Sequence, residues 1–291
     1  MSLFSLALFF MAFMLVFDFN VLFLSLIVLV LIIHEAGHFL TMKLFNYKKV
    51  RLLFVPFMGA FVSGEKEDVS QTQRLAVILM GPLPGIILGT FLLYLGDLNQ
   101  DKFYITSGLL FLTINVLNLV PIDPLDGGKV VETMFFSNQG QLKMYFALIS
   151  SLFMIGIGYY YSWFILMAFG FLMAFRVRSI QKTYNMQTEM REQEVDFVKS
   201  YKDLTNREYW KIREIFINHT PILKDSIPSL REEWENESML TTQVNNLLSK
   251  PIEKNLSVLG YVFVVILHFA AMILPLIYFY SLDLSWFLNE L

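Results

Sequence analysis

Residues 21–45 read VLFLSLIVLVLIIHEAGHFLTMKLF, an apolar run long enough to cross a bilayer as a helix, with His34, Glu35 and His38 near its end. On a helix, residues i and i+4 share a face, so the H-E-x-x-H spacing aims two imidazoles at one point and sets Glu35 beside it. That is the start of a Zn²⁺ site in which the glutamate serves as general base toward water. The rival reading is a pair of unrelated polar residues in a helix. It fits poorly, because strongly polar groups deep in hydrocarbon cost a few kcal/mol each and rarely persist without a partner or a function.

The rest of the chain agrees with a membrane setting. Its 291 residues are 56% hydrophobic and only 16% charged, with mean hydropathy +0.56, far too apolar for an ordinary soluble domain. A net charge of -3 carries no basic excess, so nucleic acid is not an expected partner. Without cysteine there is no disulfide, no thiolate ligand and no cysteine nucleophile, so a metal must be held by nitrogen and oxygen. The N-terminus lacks the positive region and small-residue cleavage site of a signal peptide, and its first apolar run is expected to be a retained helix.

Spanning helices need about 20 apolar residues. Seven are expected, at 2–17, 21–45, 74–95, 104–120, 142–160, 163–178 and 257–281. Positive residues are retained on the cytosolic side; with the N-terminus inside, every Lys and Arg except Lys102 falls on that side. Between about 179 and 255 the composition turns charged and polar, with helix-like runs at Gln181–Lys202 and Asn206–Asn218, which predicts a small cytosolic helical domain. The expected organisation is a transmembrane core over 1–178, the helical domain over 179–255, and an additional C-terminal membrane helix over 256–291. His268 in that last helix is expected to hydrogen-bond a neighbouring helix.

A catalytic zinc takes three protein ligands and keeps one position open, so an acidic residue is sought near the inner end of another span. Asn115-Val116-Leu117-Asn118-Leu119-Val120-Pro121-Ile122-Asp123-Pro124-Leu125-Asp126-Gly127-Gly128 supplies Asp126. Pro121 and Pro124 break the helix and release backbone groups that hydrocarbon tolerates only where they line a polar cavity. Taken alone, Asp126-Gly127 reads as an exposed turn, since Asp-Gly is a common turn dipeptide.

Together, the His34–His38 motif and the Asn118–Gly128 segment about ninety residues later resemble the site-2 protease family of intramembrane zinc metalloproteases. The resemblance covers about residues 1–180. It implies His34, His38 and Asp126 as zinc ligands, Glu35 as the base, and Asn118 as a residue that holds the substrate or helps polarise its carbonyl. Two positions depart from the family pattern. Asp123 replaces a residue that is usually proline, and is expected to face water rather than orient Lys129. Gly85, in Met80-Gly81-Pro82-Leu83-Pro84-Gly85, stands where the family has asparagine, which leaves any polar role of that residue to Asn115 or Asn118. Gly81, Gly85 and Gly89 also repeat every four residues, as in close helix packing.

A helical substrate hides its amides in its own hydrogen bonds, so cleavage needs local unwinding and a place for the freed backbone. Residues 50–64 are too short to span, rich in β-formers and punctuated by Pro56 and Gly59. They read either as a re-entrant hairpin able to add the substrate as a strand or as an amphipathic connector on the bilayer surface. The family has a comparable hairpin, which favours the first reading. The expectation is an all-α polytopic membrane protein with one re-entrant β-hairpin that hydrolyses a membrane-anchored protein, with Asn118, Asn115 and Gly59 toward the substrate. Its environment is the lipid bilayer, and a regulatory partner is expected on 179–255. The rival is a non-hydrolytic metal-binding transporter or receptor; it has no need of Glu35 at this spacing and often shows inverted repeats, which are not detected.

Overall fold

A computed structural model of the chain describes residues 2–16, 20–55, 59–136, 139–227, 234–249, 252–283 and 285–288. These form two compact units. The first comprises the chain up to Lys66, Ser70–Phe135 and the segment from Lys254; the second comprises Glu67–Val69 and Phe136–Glu253.

The first unit opens with α1 (Ser2–Val16) and α2 (Val21–Leu44), followed by antiparallel strands β1 (Lys48–Val55) and β2 (Gly59–Glu65). The expected hairpin over 50–64 is therefore present, with a register irregularity between Lys48 and Arg51. Its Pro56 lies outside the described residues. The hairpin is seated on α1 and α2: Phe54 packs with Phe9 and Val28, and its backbone N–H donates to Ser5 Oγ. Next come α3 (Gln71–Leu79), α4 (Pro82–Asn99), α5 (Lys102–Asn118) and the short α6 (Asp126–Val131), which runs on into a π-helical turn at Glu132–Phe136. Side-chain oxygens of Asn20, Ser70 and Asp101 accept N–H groups at the starts of α2, α3 and α5, satisfying donors that no helix can pair internally. Gly81-Pro82 separates α3 from α4, because proline has no N–H to continue the ladder.

The second unit holds α7 (Gly140–Tyr160) and α8 (Phe164–Glu192), which meet at the Tyr159–Ser162 corner, then α9 (Asn206–Asn218), α10 (Pro221–Ser226) and α11 (Glu237–Leu247). α8 passes through residue 178 without a break, so the first part of the expected 181–202 helix is its continuation and the chain leaves helix at Glu192. Beyond it, Met186, Met190, Val195, Phe197, Ile212, Ile215, Val244 and Leu247 close a separate core. Arg213 is wholly buried there; it donates from Nε to Glu237 at 2.8 Å and lies 4.7 Å from the Trp210 ring.

The chain then returns to the first unit with α12 (Val258–Ser281) and α13 (Ser285–Leu288). α12 is tied to the core by polar as well as apolar contacts: Gln71 Nε2 donates to the Tyr261 hydroxyl at 2.8 Å, and Asn255 accepts from Thr72. His268 is buried, and its Nδ1 has no hydrogen-bond partner among the described residues, so the expected bond to a neighbouring helix is not seen at that nitrogen.

Among the described residues, five helical segments are long and apolar enough to cross a membrane: α2, α3 with α4, α7, α8 and α12. The chain is thus an integral membrane protein of mostly helical architecture with a small hairpin. Of the two further spans expected, α5 has 17 residues, at the short end of what a crossing uses, and the described apolar stretch of α1 covers Phe4–Met14.

In the second unit, Thr205 and Glu208 form a capping box at the start of α9. The Lys199 ammonium at 2.8 Å, helped by bonds from Thr205, holds the Glu208 carboxyl down at about 2, against an ordinary value of 4.5. A depressed carboxyl stabilises the fold above its unfolded value, so this contribution is complete above pH 4.5 and fades as the pH falls toward 2. Thr205→Ala is expected to destabilise α9 by about 1 kcal/mol. The measurement is amide hydrogen exchange in the full chain: exchange over 206–218 should quicken at neutral pH, and unchanged exchange would show that the box holds nothing.

Candidate metal centre

His34, Glu35 and His38 lie in the second half of α2, and all three are buried. Asp126 is the first residue of α6 and only 2% exposed, so it is not the exposed turn that Asp-Gly suggests by itself. The turn is folded inward: a Cβ on Gly127 would stand 2.0 Å from the carbonyl oxygen of Leu119, a backbone approach open only to glycine.

The donor atoms converge. His34 Nε2 is 3.0 Å and His38 Nε2 is 3.2 Å from Asp126 Oδ2, and the two Nε2 atoms are 3.2 Å apart. Each ring is fixed from behind. His38 Nδ1 lies 2.7 Å from the carbonyl oxygen of Val77 and His34 Nδ1 lies 2.9 Å from Asn115 Oδ1. Both partners accept only, so each Nδ1 carries the proton and each Nε2 presents a lone pair inward. Three lone-pair atoms about 3 Å apart in a buried place repel one another unless a cation lies among them. A tetrahedral ion with bonds of about 2.0–2.1 Å separates its donors by roughly 3.3 Å, close to what is found. His34, His38 and Asp126 therefore fit a metal ion, and their donor atoms all lie within 4.8 Å of one another. Glu35 is outside this cluster, buried one residue from the first imidazole.

The helix break at Gly81-Pro82 supplies part of this geometry. The last carbonyls of a helix have no partner further along it, and that of Val77, in the last turn of α3, takes the His38 ring. Gly81 then lies against the same ring; a Cβ there would stand 2.2 Å from His38 Cε1 and Nε2. On the carboxylate side, Lys129 Nζ donates to Asp126 Oδ1 at 2.9 Å, leaving Oδ2 for the histidines. Neither Val77 nor Lys129 was expected in these roles. A backbone carbonyl leaves no trace in the sequence, whereas Lys129 sits three residues after Asp126, a spacing at which helical neighbours pair.

The remaining expected site residues separate. Asn115 is completely buried, with its Oδ1 on His34 Nδ1. Asn118 ends α5, with its amide donating to the carbonyl of Ile114. Gly59 opens β2 in the hairpin with φ +94° and open space around its Cα, apart from the donor cluster. Asp123, expected to face water, is 6% exposed: the loop between α5 and α6 folds back on α6, and a Cβ on Gly128 would stand 2.4 Å from the Ile122 carbonyl oxygen.

Two imidazoles from one apolar helix and a carboxylate from another place this chain in the class of membrane proteins with a buried H-E-x-x-H metal centre. Residues 22–105 match the sequence model of Peptidase family M50. Over 128 residues the chain is 30% identical to a zinc metalloprotease of Methanocaldococcus jannaschii, covering 42% of this chain and 37% of that protein. It is 31% identical over 111 residues to Stage IV sporulation protein FB of Bacillus subtilis, covering 38% of each. The chain thus spans under two fifths of the length of these two relatives. A solved Site-2 Protease from Methanocaldococcus jannaschii aligns with TM-score 0.46 and 20% identity, covering 60% of this chain and 87% of that one. The resemblance to the site-2 protease family read from the two motifs is borne out by the family match and the two relatives.

Gly81→Ala puts a methyl group where the His38 ring stands and is expected to weaken divalent-metal affinity on the order of 10–100-fold. Competition with a metal chelator on the purified full chain measures it, and affinity equal to that of the unaltered protein would show that the ring is not confined by α4.

Proposed function

We propose that this protein is an intramembrane zinc metalloprotease that hydrolyses a peptide bond in a membrane-anchored protein. The observation that carries the proposal is the convergence of two inward-facing imidazole lone pairs and one carboxylate oxygen, with a buried glutamate beside them that is not part of the donor set. A transport or receptor site gains nothing from that fourth residue. His34, His38 and Asp126 hold the ion. Zinc, when bound, supplies the Lewis acidity that polarises a carbonyl and acidifies water. Glu35 takes the proton of the attacking water and delivers it to the departing amine nitrogen, and its burial keeps bulk water from competing for that proton. No covalent link between chain and substrate is required.

The substrate must be unwound to be cut, and the hairpin is suited to receive it. β1 and β2 form a sheet of only two strands, so an extended backbone can add along an outer edge, with Gly59 offering an unobstructed approach at its tip. We assign Asn118 to the substrate by resemblance. We place the metal centre near the cytosolic face, because the short connections following α2 and α5 carry nearly all the Lys and Arg of the short loops. The charged stretch 179–255 is then a cytosolic domain, suited to dock substrate or a regulatory protein.

Glu35→Gln is the test. It should retain about one zinc per chain, because the ligands are untouched, while cleavage of a membrane-anchored substrate falls on the order of 10²–10⁴-fold. Zinc is quantified by elemental analysis and cleavage by gel. Normal cleavage by Glu35→Gln would overturn the assignment of the base, and with it the hydrolytic reading.

A further inference from the structure

Asn115 is completely buried and spends both ends of its amide. Its Nδ2 donates to the carbonyl of Phe111 at 2.8 Å and its Oδ1 lies 2.9 Å from His34 Nδ1. The first bond fixes the second: turned over, the amide would set its oxygen against the Phe111 carbonyl and its NH₂ against the ring N–H, two repulsive contacts in place of two bonds. The same side chain fills the space beside α4, where a Cβ on Gly85 would stand 2.2 Å from Asn115 Nδ2. Asn115 thus reaches from α5 into the room that Gly85 leaves in α4.

From this we infer that Asn115 is the positioning residue of the metal centre: it holds the tautomer and ring orientation of His34, and Gly85 must stay without a side chain for it to do so. The inference rests on the reading of His34, His38 and Asp126 as metal ligands. A partner on the rear nitrogen of a ligating histidine fixes which nitrogen faces the ion and makes it more basic, and losing such a partner costs 10–100-fold in metal affinity. Gly85 allows α4 and α5 to approach closely enough for this, so the pair acts as one unit.

Two substitutions of similar size separate positioning from packing. Asn115→Leu and Asn115→Asp both lose the bond to Phe111, but only Asp keeps an acceptor for His34 Nδ1. The purified full chain is titrated with Zn²⁺ against a chelator, and the visible spectrum of its Co²⁺ form reports the geometry at the ion. Asn115→Leu is expected to bind zinc on the order of 10–100-fold more weakly with an altered Co²⁺ spectrum, whereas Asn115→Asp stays within tenfold of the unaltered protein and keeps its spectrum. If Asn115→Leu does not fold, the double change N115A/G85A, which returns a methyl group to the vacated space, takes its place. Equal loss in the Asp and Leu variants would reduce Asn115 to packing, and unchanged affinity in Asn115→Leu would overturn the inference outright. An unaltered protein that binds no zinc would instead overturn the metal reading beneath it.

Discussion

Three atoms with lone pairs are held about 3 Å apart inside an apolar helix bundle, and much of the first unit serves to keep them there. Left to themselves they would repel, or the histidines would turn and share protons with the carboxylate. What prevents this is the commitment of each rear nitrogen to an acceptor, the Val77 carbonyl for His38 and the Asn115 amide for His34. The site is consequently prepared for a cation before one arrives.

Breaks in helices make that preparation possible. In a membrane every backbone group must be satisfied within the protein, and an unbroken helix spends its carbonyls on itself. The interruption at Gly81-Pro82 provides a carbonyl for one histidine. The interruption between α5 and α6 brings a carboxylate into the bundle on a short helix, and Lys129 partly offsets its charge. The same breaks explain Gly81, Gly127 and Gly128, which lie where a histidine ring or the backbone leaves no room for a side chain.

Some of this was legible in the sequence and some was not. The His34–His38 helix was, because a four-residue spacing in an apolar run has one geometric meaning. Asp126 needed the motif around it, since the dipeptide alone points to an exposed turn. The hairpin was legible from β-forming residues in a stretch too short to span. Span counting was less secure, because apolar composition and length leave a helix of 17 residues such as α5 at the edge of what a crossing needs. Asp123 is buried against expectation because burial of a loop residue depends on how the chain folds back, which glycines four and five residues away do not reveal. The role of Val77 has no signature at all, being carried by its backbone.

The account depends on His34, His38 and Asp126 sharing one ion, and zinc K-edge X-ray absorption on the purified, zinc-loaded full chain tests this most directly. Two imidazoles together with oxygen donors at about 2.0–2.2 Å are the predicted result, with one imidazole lost in His38→Ala. A spectrum without imidazole scattering, or one that His38→Ala leaves unchanged, would contradict it.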